Sequence, residues 1–254
     1  LSAGNWIFEA SSYSAISCLV KDFRPDLTEM DYDAVPALNP NEFYIHQFLP
    51  GSGITLKWFL DTFTESGKKD PFSEIEKKAA ELPCGSEGLM AVGLFGGSAM
   101  PFDGELKGTW SGITWNHRKE HFYRALLESF AYELSYTIES MKKMYPEYAN
   151  HTRIKLIGGG AGSKIWPKIL ADATGCEFVT LNRNDVAMLG TSFLSAKAAG
   201  LIDEISVLSE SIVEEKESFY PDWDNHEIYG KYRTVYRELK KATRESCRKL
   251  YHMS

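Results

Sequence analysis

The sequence predicts an α/β domain whose strands are covered by helices, and two observations carry that expectation. In the second half, short apolar strands alternate with segments of helix length: Arg153–Ile157, a helix to Thr174, Glu177–Leu181, then a helix over 186–199. Such β-α-β-α order marks helices packed on a sheet. Earlier, 89–95 is an unbroken apolar run of strand length, which suits a central strand covered on both faces. The chain has 254 residues, 43% hydrophobic and 25% charged, an ordinary globular composition. A chain of this size buries most of its apolar surface without disulfide or metal staples. Residues 1–254 show no internal repeat and read as one compact domain rather than two.

Element by element, 6–10 is a short strand, and 43–46 is a second, rich in aromatic and β-branched residues after Asn39-Pro40-Asn41. Gly51-Ser52-Gly53 breaks the chain before a helical segment over 56–63, and 66–70 is a polar loop. A helix over 71–82 carries Phe72, Ile75 and Ala79 on one side. After the 89–95 run, 108–114 reads as a strand or tight strand pair. Asn116 then caps a long helix to Tyr145, ended by Pro146. Its stripe of Tyr123, Leu127, Phe130, Leu134, Ile138 and Met141 has the period of an amphipathic helix on a sheet. Gly175 stands where a helix ends, Asn184 or Asp185 caps the next, and Gly200 follows it. A charged helix over 228–250 places Tyr229, Tyr232, Tyr236 and Leu239 on its buried side.

Charge and spacing exclude several classes. With 28 basic and 35 acidic residues the net charge is −7, which argues against a nucleic-acid footprint. No apolar run approaches the roughly 20 residues of a spanning helix, so no membrane partner is expected. Residues 1–6 lack a basic leader, and a start at Leu1-Ser2-Ala3-Gly4 reads as the interior of a longer parent. Cys18, Cys84, Cys176 and Cys247 form no C-x-x-C pair and are expected as buried, reduced thiols of a cytoplasmic protein. His117 and His121 are four apart on a helix start, but no H-E-x-x-H pattern supports a zinc site.

The strongest chemical signal is Gly158-Gly159-Gly160-Ala161-Gly162 after an apolar strand. Glycines there let backbone approach a ligand, and free N–H groups at the following helix start suit phosphate. Two named phosphate motifs fail. The dinucleotide G-x-G-x-x-G needs glycine where Ser163 stands and an acidic residue after a strand that continues into Asn182-Arg183. The P-loop needs lysine before serine, whereas Ser163 precedes Lys164.

A different family fits. Gly108-Thr109-Trp110-Ser111-Gly112-Ile113, then seven residues, then His121-Phe122 to Ala125, Leu127 and Glu128 resembles the second signature of the FGGY carbohydrate kinases. Ile157 to Ser163, Trp166, Ile169 to Asp172 and Thr174-Gly175 resemble that family's adenosine-side motif, and Asp185 to Gly190 its next helix. The likeness covers nearly the whole chain, most specifically 88–200. It implies an actin-like, ribonuclease H-like fold, a mixed sheet flanked by helices, and the C-terminal, ATP-binding domain of a two-domain kinase. ATP and Mg²⁺ are the implied cofactors. The partners implied are the enzyme's own N-terminal sugar-binding domain and a sugar, with a homodimer left open. The implied reaction moves the γ-phosphate of MgATP to a sugar hydroxyl.

By the same resemblance, Gly4 and Asn5 face the outer phosphates in a Gly-Thr-like turn, with Asn5 replacing the usual threonine. Gly112 faces the same cleft, Gly159, Gly160 and Ala161 lie under the α-phosphate and ribose, and Lys164 sits near the nucleoside. The catalytic aspartate is expected upstream of Leu1, so no base is assigned within the sequence. Trp166 reads as core before adenine stack, and Asp172 as a solvated helix charge. Pentulose kinases of the xylulokinase type are nearest overall, but the 95–101 loop departs from the family, and other sugars stay open. A non-catalytic nucleotide-binding module is the competing reading, favoured by Asn5 and that loop. A more distant actin-like assembly ATPase is disfavoured by the 108–128 signature.

Overall fold

The computed structural model describes residues 3–64 and 70–253. In chain order these form β1 (Trp6–Glu9), β2 (Ser14–Val20), β3 (Asp33–Pro36), β4 (Phe43–Leu49), α1 (Ser52–Phe63), α2 (Pro71–Ala80), β5 (Met90–Val92) and β6 (Thr109–Ser111). There follow α3 (Lys119–Met144), β7 (Arg153–Ile157), α4 (Trp166–Thr174), β8 (Glu177–Leu181), α5 (Val186–Ala198), α6 (Ile205–Ile212), β9 (Glu215–Phe219) and α7 (Trp223–Met253). The main sheet runs β3-β4-β2-β1-β7-β8-β9. Its centre, β1-β7-β8, is parallel, while β2, β4, β3 and β9 join antiparallel. This is the mixed, helix-flanked sheet that the sequence predicts.

The inward positions of the central strands build the core. Trp6 and Phe8 on β1, Ile154 and Leu156 on β7, and Phe178 on β8 are buried against α3 and α4. Phe8 meets Trp166 and Phe178 edge-on, at 6.1 and 6.4 Å between ring centres. All six residues of the expected α3 stripe are buried. The helix is in fact buried nearly all round, because α2, α4 and α7 pack on the sides that the sheet leaves free. That burial encloses a charged lock. Glu128 accepts from Arg124 Nε at 2.9 Å, Ser86 Oγ at 2.9 Å, and the Gly85 N–H and Tyr229 hydroxyl at 3.0 Å. It ties α3 to α7 and to the turn before β5.

Several expectations are corrected. The 89–95 run is buried on both faces, but it is no central strand. Only Met90–Val92 pairs, antiparallel with β6 in a separate two-stranded sheet. Gly93 ends it where backbone lies on α3: a Cβ there would sit 2.5 Å from Ser129 Oγ. Asn116 does not cap α3. Arg118 takes the cap position, where the His121 Nδ1 accepts its N–H at 3.1 Å. Asp172 is buried rather than solvated, taking Lys168 Nζ, the Asp222 N–H and Asn225 Nδ2. β2, β3, α6 and β9 were not legible as elements, and α7 begins five residues before 228. The polar loop expected over 66–70 lies, but for Asp70, outside the described residues.

Candidate functional site

The parallel pairing of β1 with β7 puts the C-terminal ends of both strands at one edge of the sheet, where open α/β sheets place their ligands. From β1 the chain turns through Ala10-Ser11-Ser12-Tyr13 into β2, and from β7 it enters the glycine-rich segment. The two turns are bonded together. Ala10 N–H donates to Ile157 O and Gly160 N–H to Ala10 O, both at 2.8 Å. Gly158 adopts φ +84°, where a Cβ would lie 2.8 Å from Ala10 O, and a Cβ on Gly160 would lie 2.5 Å from Ala10 Cβ and 2.6 Å from the Trp166 ring. Glycine is required at both positions by conformation or by space.

Helix α1 closes the turn from the other side. Its first-turn N–H groups at Gly53 and Ile54 donate to Ser11 O and Ser12 O at 3.2 and 3.3 Å. The carbonyls of Ala10, Ser11 and Ser12 are therefore all engaged by protein donors. From α2, Glu76 braces the exit of the glycine-rich segment. It is 4% exposed, and its carboxylate accepts from Ser163 Oγ at 2.6 Å, the Lys164 N–H at 2.7 Å and Tyr123 OH at 3.3 Å. Ser163 Oγ in turn accepts the Trp166 N–H at 3.0 Å, fastening the start of α4. Burial and the Glu76 carboxylate push the Tyr123 phenol well up, so it stays a neutral donor. These parts enclose a cleft of about 620 Å³ with a mostly apolar wall that includes Phe72, Leu56 and Leu127. Lys164 lines it and has no ion-pair partner among the described residues, whereas Lys57 is matched to Asp61 at 2.6 Å.

Of the residues singled out in the sequence, Gly159, Gly160 and Lys164 line this cleft. Ala161 belongs to the same turn but packs against the core. Gly112 lies elsewhere: it adopts φ +82° where β6 ends, with its Cα against the Gly88 carbonyl. Gly4 and Asn5 precede β1, at the opposite end of the strand from the cleft. At about 3.3 Å per residue Asn5 is roughly 16 Å from Ala10. There the Gly4 N–H bonds Leu19 O at 2.7 Å, and its carbonyl meets His151 Nδ1 at 3.0 Å. Trp166 is core, 2% exposed. The turn that does reach the cleft, Ala10 to Ser12, was missed. Small polar residues between two runs of alternating buried positions (Trp6 and Phe8; Ile16, Cys18 and Val20) are the hairpin signal that locates it. Glu76 carried no such signal.

Among the described residues no group of histidine, cysteine, aspartate or glutamate side chains is arranged to hold a metal ion. The four cysteines are free thiols, three of them buried. No helix among the described residues is long and apolar enough to cross a membrane.

Comparison with known proteins shows the family and the fold. The xylulose kinase of Staphylococcus epidermidis is 30% identical over 207 residues, 81% of this chain and 40% of that protein. The gluconokinase of Bacillus licheniformis is 30% identical over 184 residues, 69% of this chain and 36% of that protein. The chain thus spans about two fifths of the length of these relatives. The fold matches the crystal structure of ligand-bound xylulose kinase from Lactobacillus acidophilus with a TM-score of 0.83 at 21% identity, over 98% of this chain and 49% of that one. Residues 21–199 match the C-terminal domain of the FGGY family of carbohydrate kinases, and the chain belongs to that family.

Proposed function

We propose that this chain is the nucleotide-binding half of a carbohydrate kinase, one that moves the γ-phosphate of MgATP to a hydroxyl of a xylulose-like ketose. The observation that carries the reading is the double turn in which Gly160 packs on Ala10. Two backbone segments meet without a side chain between them, the carbonyls of Ala10, Ser11 and Ser12 face protein donors, and Lys164, without an ion-pair partner among the described residues, stands beside them. That is a cradle for a polyphosphate. In this reading the turn at Ser11 and Ser12 faces the outer phosphates. Gly159 and Gly160 lie under the α-phosphate and ribose, and the apolar wall with Phe72 takes the base. This places the outer phosphates at the end of β1 opposite to Gly4 and Asn5. Mg²⁺ would arrive with the phosphates, since it keeps several waters and needs few protein carboxylates.

The sugar belongs, in the same proposal, to a sugar-binding domain that makes up the rest of the length of the relatives. Helix α5 suits such a neighbour: it buries only Phe193 and leaves Met188 and Leu194 exposed. Phosphoryl transfer is mainly positioning and charge balance, so separating the halves is expected to leave binding without turnover. The ketose assignment follows the xylulose kinases among the relatives. A nucleotide-binding module without catalysis loses one of its supports, because Asn5 is remote from the cleft. Calorimetric titration of the 254-residue chain with MgATP tests the proposal. Saturable binding without phosphorylation of xylulose is expected, and absence of heat at millimolar MgATP would overturn it.

A further inference from the structure

A second cavity, of about 480 Å³ between α3 and α7, is lined by five acidic and five basic side chains, so its charges balance. The charge that finds no balance lies at the cleft. Glu9, the last residue of β1, is exposed and immediately precedes the turn Ala10 to Ser12. Its Oε1 accepts from Ser11 Oγ at 3.0 Å, and among the described residues it has no ion pair. Lys155 shares its face of the sheet, two residues before Ile157, which stands opposite Glu9 on β7, and the two make no ion pair. The carboxylates that line the cleft have other tasks. Glu76 holds Ser163, Lys164 and Tyr123, and Asp70 caps α2 by accepting the Ser73 N–H at 3.1 Å.

A carboxylate at this place conflicts with a bare polyphosphate. A phosphate oxygen within hydrogen-bond reach of the Ser11 hydroxyl lies at most about 6 Å from the Glu9 carboxylate. At that distance like charges near a protein surface repel enough to weaken binding. The Ser11 proton also points to Glu9 rather than to a ligand. A divalent cation resolves both conflicts. Mg²⁺ binds oxygens at about 2.1 Å and keeps several waters, so it joins two oxygens about 4 Å apart directly and about 7 Å apart through one water. The gap between carboxylate and phosphate falls inside that reach. The donors fit as well: one carboxylate and the hydroxyls of Ser11 and Ser12 are hard oxygen ligands. No all-protein metal cage exists among the described residues, as expected for a cation that arrives with phosphates.

We infer, on the nucleotide reading above, that Glu9 is the residue of this chain that anchors the Mg²⁺ of MgATP, and that it makes the cradle selective for the metal-bound nucleotide. Metal-free ATP meets the Glu9 charge and a Ser11 hydroxyl already committed to it. With Mg²⁺ present the Glu9 carboxylate turns to the cation or its water shell, and the Ser11 hydroxyl is released to donate to a phosphate oxygen. Linkage makes the effect reciprocal. The factor by which Mg²⁺ tightens ATP on the chain is the factor by which the chain tightens Mg²⁺ on ATP.

The test is calorimetric titration of the 254-residue chain with ATP in excess Mg²⁺ and with ATP in EDTA. The parent is expected to bind MgATP at least about tenfold more tightly than ATP alone. Glu9→Gln, nearly isosteric at an exposed position, should lose at least about fivefold in MgATP affinity and gain in metal-free ATP affinity, so that the two agree within about twofold. Asp70→Asn removes a carboxylate beside Phe72 at the mouth of the cleft and should leave the parent ratio in place. Electron paramagnetic resonance of free Mn²⁺ reads the reciprocal quantity. Mn²⁺ should bind the parent's ATP complex more tightly than it binds ATP, and that advantage should vanish in Glu9→Gln. Equal affinity of the parent for both forms would overturn the inference. So would an unchanged ratio in Glu9→Gln, or an equal gain for both forms, which is repulsion without an anchor. Binding of neither form at millimolar nucleotide would overturn the nucleotide reading itself, and this inference with it.

Discussion

The two cavities of this domain are built from opposite materials. The cleft at the end of β1 and β7 has a backbone floor, two turns pressed together through Gly158 and Gly160, under an apolar wall that includes Leu56, Phe72 and Leu127. The cavity between α3 and α7 is made of side chains, ten of them charged. The double turn tolerates no added volume at Gly158 or Gly160, although a Cβ at Gly159 or Gly162 would meet nothing within 4 Å. A side-chain site tolerates volume but depends on ion pairs that solvent and salt weaken. The contrast sets close backbone contact in the cleft beside paired charge in the second cavity.

The largest expected effect removes what the two share. Glu128 holds α3 against α7 from a position 1% exposed, and Arg124 beside it is 7% exposed. Glu128→Ala leaves that guanidinium buried without its carboxylate, at a cost of about 3–5 kcal/mol in urea-unfolding free energy. MgATP affinity should weaken with it, because α3 also supplies Tyr123 and Leu127 to the cleft wall; unchanged affinity would break the view of α3 as a wall that both cavities share. Next, Gly160→Val should separate them. The new side chain must displace Ala10 or the Trp166 ring, so MgATP affinity should fall at least about tenfold and stability by about 1–3 kcal/mol. Gly162→Ala, whose Cβ meets nothing within 4 Å, is the control and should stay within about 0.5 kcal/mol of the parent. Smaller still is Glu76→Gln. The amide keeps the shape but cannot accept at both ends, so Ser163 or the Lys164 N–H loses a bond, at about 1–2 kcal/mol and a few-fold in MgATP affinity by calorimetry.

Much of the fold was legible because periodicity survives packing. The six-residue stripe of α3 is buried in full, and Gly175 ends α4 at φ +67° as expected. The 89–95 run misled for a physical reason. Burial on both faces does not require a central strand, and here the two faces are closed by α3 and α7. The site was half legible. Glycine content revealed one turn of the cradle, whereas its partner turn uses alanine and serine, whose role comes from the register of β1 against β2 and β7. Aligning the phosphate turn by its glycine chose Gly4 and Asn5, one strand length from the turn proposed above to face the outer phosphates. Glu76 was invisible for the same reason. Its partners are 87 and 88 residues away, and no local pattern announces a carboxylate that clamps a distant loop.

The most direct test of the central claim is backbone-amide NMR of the 254-residue chain during titration with MgATP. The account predicts saturable shifts concentrated at Ser11, Ser12 and residues 158–164, with Gly4, Asn5 and Gly112 unmoved. Shifts centred on Gly4 and Asn5, or on the cavity between α3 and α7, would contradict it.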